Sequence, residues 1–261
     1  MRSERLRSVG LGATGLVGLV ALWWVLQATV FRDKLVPSPL DVVHTWGDDG
    51  FTFYKNNFSG TIEEAVRGFV WGNLLAIALA SLVLLLPIFE RVITQVAIIS
   101  YCIPLVALTP ILYVVLGGSD GPGDPSPTAV SLAAISCFFT TVVGAVLGFR
   151  SADRTSLDVV SVYGGGRWKQ LRTVQLVSAL PGILSALQIA APAAFLGAIL
   201  GEYIGGVDRG VGPALINAQQ NLDDGRAWGI MIACGVVAGA GYAVFVLLAK
   251  LVTPWAKGVA A

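Results

Sequence analysis

Few residues in this chain could carry out covalent or metal chemistry. His44 is the one histidine in 261 residues, so neither a histidine-based triad nor a histidine cluster for a metal can be assembled. Cys102, Cys137 and Cys234 are odd in number and scattered through apolar segments. They read as small buried hydrophobes rather than a disulfide or metal set. Asp120 and Asp124 sit in GGSDGPGDPSP without the spacing of an EF-hand loop. No Gly-x-x-x-x-Gly-Lys-Ser/Thr run is present to cradle a phosphate. What remains is charge. Residues 150–183 hold five cations, Arg150, Arg154, Arg167, Lys169 and Arg172, opposed only by Asp153 and Asp158. Glu202 stands at the end of an apolar run, where a carboxylate is expected to reach water.

The elements that position these residues follow from hydropathy. The chain is 55% hydrophobic and 13% charged, with mean hydropathy +0.76, too apolar for an ordinary soluble domain. A net charge of +1 argues against nucleic acid as a partner. Residues 9–31 form an apolar run behind Arg2, Arg5 and Arg7. The run is longer than the roughly 7–15 residues of a signal peptide's apolar core, so it is expected to be a retained first span. Further spans are expected at about 61–87, 92–116, 128–149, 177–200 and 228–252. The fold class is therefore an all-α membrane protein with six transmembrane helices. Its expected organisation is 1–31, 32–60 as an external loop with a short surface helix, and 61–261 as the core. With the N-terminus inside, eleven of the seventeen Lys and Arg fall on the cytoplasmic side, Lys250 and Lys257 among them. Positive charge stays inside, which makes 150–176 a cytoplasmic loop and puts both termini in the cytoplasm.

The loop has internal structure. Thr155-Ser156-Leu157-Asp158 resembles a capping box, with Asp for the usual Glu or Gln, and predicts a short helix. Gly164-Gly165-Gly166 should end that helix, because glycine tolerates positive φ. In the third span, Pro104 and Pro110 stand six apart and each removes a helical N–H bond. Breaks of this kind are tolerated where neighbouring helices or a cavity satisfy the freed carbonyls.

These residues carry a resemblance. The 150–183 stretch is similar to the cytoplasmic signature loop of permease subunits of type I ABC importers, which reads Glu-Ala-Ala, three residues, Gly, then a spacer ending in Leu-Pro. Asp158-Val159-Val160 occupies the first place, Gly164 the glycine, and Arg167-Trp168 and Val174-x-Leu176 follow in register. Leu180-Pro181-Gly182-Ile183 matches a second Leu-Pro-Gly-Ile of the nitrate, sulfonate and taurine group. The chain departs from the pattern in its Asp-Val-Val triplet and in Val177, which stands where the first proline belongs. Pro37-Ser38-Pro39, the Thr61, Gly68, Gly72 pattern, Pro104-x-x-Ala107-x-x-Pro110, and Glu202 followed by a glycine-rich turn resemble the same group.

The resemblance implies a type I importer permease fold with a cytoplasmic coupling helix between the fourth and fifth spans. Thr155, Asp158, Val159, Val160, Gly164, Arg167, Leu180 and Pro181 would belong to the ATPase-coupling region. Tyr101, Pro104, Thr109, Pro110 and Glu202 would belong to the translocation path, although a purely structural kink explains the prolines equally well. Glu202 would act in packing or gating. The implied partners are two ATPase subunits, a second permease subunit, an external solute-binding protein and the lipid bilayer of a bacterial cytoplasmic membrane. ATP and Mg would be bound by the ATPase, with no cofactor in this chain and no catalysis of its own. The implied solutes are small organic or inorganic anions such as sulfonates, taurine or nitrate, or vitamin precursors and aromatic acids. An ion-coupled secondary transporter is the alternative; it would favour ionisable residues at mid-membrane and inverted repeats, neither of which the sequence displays clearly.

Overall fold

The computed structural model describes residues 2–31, 36–121, 123–205 and 207–256, and of residues 2–10 and 13 only the backbone. Arg32, Lys34, Leu35, Pro122, Gly206 and Lys257, and the side chains of Arg2, Arg5 and Arg7, lie outside the described residues. Helices account for the ordered elements and no strand occurs among the described residues. The chain divides into two compact units: Met1–Lys55 with Ala214–Ala233, and Asn56–Pro213 with Cys234–Ala261.

In the first unit, α1 runs Arg2–Thr29 and its described apolar stretch is Thr14–Thr29. Helix α2, Pro39–Leu85, begins here. The Ser38 hydroxyl accepts from the Asp41 N–H at 3.2 Å and the Asp41 carboxylate accepts from the Ser38 N–H at 2.8 Å, a reciprocal cap with proline at the first helical position. The segment expected as a loop with a short surface helix is thus helical from Pro39 onward, broken only at Gly50 (φ 68°, ψ 167°). After Pro39 this polar stretch contains no proline, and a single glycine marks its one departure from helix. Trp23 stacks on Trp228 with centroids 5.5 Å apart, and Trp46 Nε1 donates to the Gly229 carbonyl at 3.1 Å. The Arg226 guanidinium forks onto Asp49, with Nε 2.9 Å from Oδ1 and 3.1 Å from Oδ2.

The second unit is built on close backbone contact. Helix α5, Pro127–Arg150, is capped by the Ser126 hydroxyl and has proline at its first position. It packs along α8, Leu176–Ile204, through a seam of small residues. Gly148 lies against Ala179, Gly182 against Gly148, Gly197 against Leu132 and Gly201 against Ala129. A Cβ on Gly197 would stand 2.7 Å from the Leu132 carbonyl oxygen. Lipid offers apolar side chains no reason to associate, so close packing of this kind holds membrane helices together. α2 joins through the same chemistry, since Gly68 and Gly72 face residues 130–137 of α5. Asn73 carries a polar tie across this contact. The Thr141 hydroxyl donates to Asn73 Oδ1, and Asn73 Nδ2 donates to the Phe69 carbonyl at 2.6 Å, with both side chains buried. Asn73→Ala is expected to lower stability by about 1 kcal/mol, read as a lower melting temperature in detergent.

The expected single third span is two helices. α3, Glu90–Cys102, and α4, Leu105–Leu116, meet at 100°. Pro104 forces the preceding Ile103 into an extended conformation (ψ 125°) and caps α4, whereas Pro110 is accommodated inside α4. Contacts at the two ends of the bundle decide what this bend is. Arg150 Nη2 donates to Glu90 Oε1 at 2.5 Å, and Arg167 Nη1 donates to the Leu85 carbonyl at 3.2 Å, which holds residues 85–90 and 150–167 at one end. At the other end of α5, the Ser126 N–H donates to Glu64 Oε1 at 2.6 Å. The chain from 90 to 126 therefore passes from one end of α5 to the other by way of the bent pair. α2, α5, the continuous helical stretch Arg167–Ile204 and α10, Asp224–Val252, are each long and apolar enough to cross a membrane.

Candidate functional site

After α5, helix α6 runs Arg154–Val162. Its N-cap is Asp153, whose carboxylate accepts from the Ser156 N–H at 3.1 Å and the Ser156 hydroxyl at 3.3 Å. This corrects the capping box expected at Thr155: an ionised oxygen two residues earlier is the better acceptor for the free N–H groups of the first turn, and Thr155 lies within the helix. The expected glycine end is present. Gly165 N–H bonds the Val160 carbonyl at 2.8 Å, Gly164 N–H bonds that of Ser161 at 2.9 Å, and Gly164 has φ 75°. That is a Schellman motif, which requires a left-handed residue at its centre.

The chain re-enters the bundle through α7, Arg167–Gln170, and a π-helical turn, Leu171–Gln175, that leads into α8. From α7, Gln170 Nε2 donates to the Leu157 carbonyl at 3.1 Å and the Ser161 hydroxyl at 2.8 Å, fastening α6 from behind. Its other side is open. Val162 and Tyr163 are 85% and 82% exposed, and Val159 and Trp168 are exposed as well. Thr155, Asp158, Val159, Val160, Gly164 and Arg167 are therefore gathered on one protruding loop. Leu180 and Pro181 are not: they lie inside α8, and Pro181 faces a groove of about 960 Å³. That groove runs between α5 and α8, with Phe139, Leu147 and Ile189 for apolar walls and the hydroxyls of Thr140, Ser178 and Ser185 among the few polar groups lining it.

The residues expected along the third span are spread out. Tyr101 is exposed and stacks on Phe139 of α5 with centroids 4.7 Å apart. Pro104 marks the bend and Pro110 is exposed on α4. Thr109 is fully buried, and its hydroxyl donates to the Leu105 carbonyl at 2.9 Å.

Glu202 requires a correction, since it does not reach water. It is 2% exposed, enclosed where α2, α8 and the 207–212 turn meet. Thr61 Oγ1 donates to Glu202 Oε1 at 2.5 Å, the Gly212 N–H donates to Oε2 at 2.7 Å, and the Val211 N–H donates to Thr61 Oγ1 at 3.1 Å. Glu64, which the sequence reading passed over, is 1% exposed and lies in the same cluster. A signal for it existed. In Thr61-Ile62-Glu63-Glu64-Ala65-Val66-Arg67-Gly68, Glu63 pairs with Arg67 on the open face at 2.5 Å, while Thr61, Glu64, Gly68 and Gly72 recur at helical spacing on the packed face. Among the described residues no three His, Cys, Asp or Glu converge as a metal site.

Comparison with known proteins agrees with this architecture. Residues 72–258 match the family described as "Binding-protein-dependent transport system inner membrane component". The chain is similar to the formylaminopyrimidine transport permease protein of Halalkalibacterium halodurans, at 23% identity over 92% of this chain and 93% of the relative. It is similar to the putative aliphatic sulfonates transport permease protein of Bacillus subtilis, at 25% identity over 84% and 78%. The riboflavin transport system permease protein of Chloroflexus aurantiacus is 30% identical over 52% of this chain and 47% of the relative. An all-helical bundle with several membrane-length helices and a match over most of the chain lead to one conclusion: the chain belongs to the binding-protein-dependent transport system inner membrane component family, the permease subunits of type I ABC importers.

Proposed function

We propose that this permease crosses the membrane six times with both termini in the cytoplasm, and that α6 is its coupling helix. Two ATPase subunits bind the cytoplasmic face, a second permease subunit completes the path, and an external binding protein delivers the solute. The observation that carries this reading is the exposed apolar face of α6 and the turn after it, Val159, Val162, Tyr163 and Trp168, on a loop anchored to the bundle by Gln170. An exposed apolar group of this kind on a polar loop marks a protein contact. ATP and Mg stay with the ATPase, which drives the change between inward-open and outward-open states. The relatives, by name, serve a formylaminopyrimidine, riboflavin and aliphatic sulfonates; this favours a small polar organic solute, a sulfonate-like anion or a heteroaromatic vitamin precursor. The groove between α5 and α8 is mainly apolar with scattered hydroxyls, which suits weak solute binding in the membrane and selectivity in the binding protein.

Gly164 provides the test. Nothing lies within 4 Å of a Cβ placed there, so substitution acts through φ alone. Gly164→Val places a β-branched residue at positive φ, whereas asparagine tolerates that conformation. Gly164→Val is expected to lose the co-purifying ATPase subunit and solute uptake, and Gly164→Asn to keep both. Equal behaviour of the two variants, or no ATPase with the wild type, would sink the coupling assignment.

A further inference from the structure

The pair Glu64 and Glu202 has a role that solute passage does not explain. They belong to helices 138 residues apart in sequence, yet Glu202 bonds the Thr61 hydroxyl, one helical turn before Glu64 on the same buried face of α2. Three of the four oxygens accept from the protein: Glu202 Oε1 from Thr61, Glu202 Oε2 from Gly212, and Glu64 Oε1 from Ser126. The fourth, Glu64 Oε2, is sealed from solvent and has no donor. The enclosure is built to be tight. A Cβ on Gly210 would meet the Glu202 carboxyl, with Oε2 at 2.7 Å, and one on Gly212 would stand 2.7 Å from Glu202 Cβ.

The charged side chains around the pair have other partners or face solvent. Glu63 and Arg67, from the same helix, pair with each other on the open face. Asp124, Asp208 and Arg209, on the neighbouring loops, are exposed, and the titratable group facing Glu202 from α10 is the Cys234 thiol. Among the described residues no Lys or Arg bonds either carboxyl. Two like charges buried in one enclosure disfavour each other's ionisation, and a buried oxygen without a donor is destabilising. One hydrogen answers both problems.

We propose that Glu64 and Glu202 form a proton-binding site, in which the Glu64 carboxylic acid donates from Oε2 to the Glu202 carboxylate and ties α2 to α8 at this end of the bundle. Glu202 is the ionised member because it receives two donors from the protein. Glu64 is the acid because its Oε1 has an N–H donor and its Oε2 has none. No bond is broken; the site holds one proton taken from solvent.

Infrared difference spectra of the full chain, purified with any ATPase that accompanies it, test the proposal directly. At neutral pH the wild type should show a carboxylic acid carbonyl band that shifts in D₂O and is missing from Glu64→Gln. Glutamine keeps an oxygen for the Ser126 N–H and an N–H for Glu202. Glu64→Gln should therefore melt close to the wild type at neutral pH, whereas Glu64→Ala and Glu202→Gln should melt lower. As pH rises above the ordinary carboxyl range the wild type should lose melting temperature progressively, because the folded chain keeps a proton that the unfolded chain releases, and Glu64→Gln should lack that component. The proposal is overturned if the wild type lacks the acid band. It is also overturned if Glu64→Gln melts as low as Glu64→Ala, or if added sodium stabilises the wild type and not Glu64→Gln, which would make the occupant a metal cation.

Discussion

Replacing Arg226 with methionine is expected to destabilise the unit that contains it by about 3–5 kcal/mol, the penalty for removing one partner of a buried ion pair. The penalty falls on Asp49, whose side chain is 2% exposed and depends on the Arg226 fork for compensation. Arg226 is about one-third exposed and also lies 5.4 Å from the centroid of the Phe53 ring, with Asp223 3.3 Å away as a second carboxylate. The reverse deletion, Asp49→Leu, should therefore be milder, because the guanidinium keeps part of its hydration and a weaker partner. Arg226→Lys should fall between wild type and methionine, since an ammonium cannot make the two-point contact. The double variant Asp49→Leu with Arg226→Met should recover much of the loss. Thermal unfolding in mild detergent orders the four variants. A methionine variant as stable as the wild type would mean that water reaches Asp49 and the pair contributes little.

Gly201→Val is expected to prevent assembly of the α5–α8 pair. A Cβ at Gly201 would lie 2.9 Å from Ala129 Cβ and 3.0 Å from the Ala129 backbone nitrogen, and closer still to Ala129 Cα. A side chain could rotate away, but backbone in a helix cannot. The two helices would have to separate and lose the contacts at Gly197 and Gly182 along the same seam. Overpacking in a deformable core costs about 1–3 kcal/mol; against backbone the loss should exceed that range. Gly239→Val in α10 is the matched control, because nothing lies within 4 Å of its Cβ position. Membrane-extracted protein run on a size-exclusion column should give a normal peak for Gly239→Val and aggregate or no protein for Gly201→Val. Normal peaks for both would contradict the tight seam.

Much of this architecture could be read in the sequence because membrane crossing is a local property. The run expected at 128–149 is α5, Pro127–Arg150, and the one expected at 228–252 is α10, Asp224–Val252; turn-forming or charged residues flank each apolar run. The end of α6 was also legible, because three successive glycines leave few alternatives for a helix terminus. Its start was not, since Asp153 and Thr155 are both acceptable caps and only the fold decides which oxygen meets the free N–H groups. The bend at Pro104 shows a different limit. Two prolines were visible, but sequence cannot say which one breaks the helix and which is absorbed. Glu202 failed for a third reason. Its position at the end of an apolar run suggested water, yet its surroundings are Thr61, Glu64 and Gly212, and two of those three come from a helix 138 or more residues away. Burial of a polar group is a property of the contact, and the local string does not contain it. The clue lay on the other helix, in the alternation of open and packed faces from Thr61 to Gly72.

The π-helical turn at Leu171–Gln175 has a consequence for how this protein can change over evolutionary time. Each residue of an α-helix advances the chain by about 100°, so one residue gained or lost in a regular span would swing everything beyond it to another face. A wider turn accommodates one residue more than the regular spiral needs. Its loss by a single-codon deletion between Leu171 and Gln175 would restore plain helix there and leave the flanking segments facing nearly as they do now. The α5–α8 seam would be untouched. The stretch between α6 and α8 can thus gain or lose this one residue without re-aiming the loop before it or rebuilding the membrane packing after it.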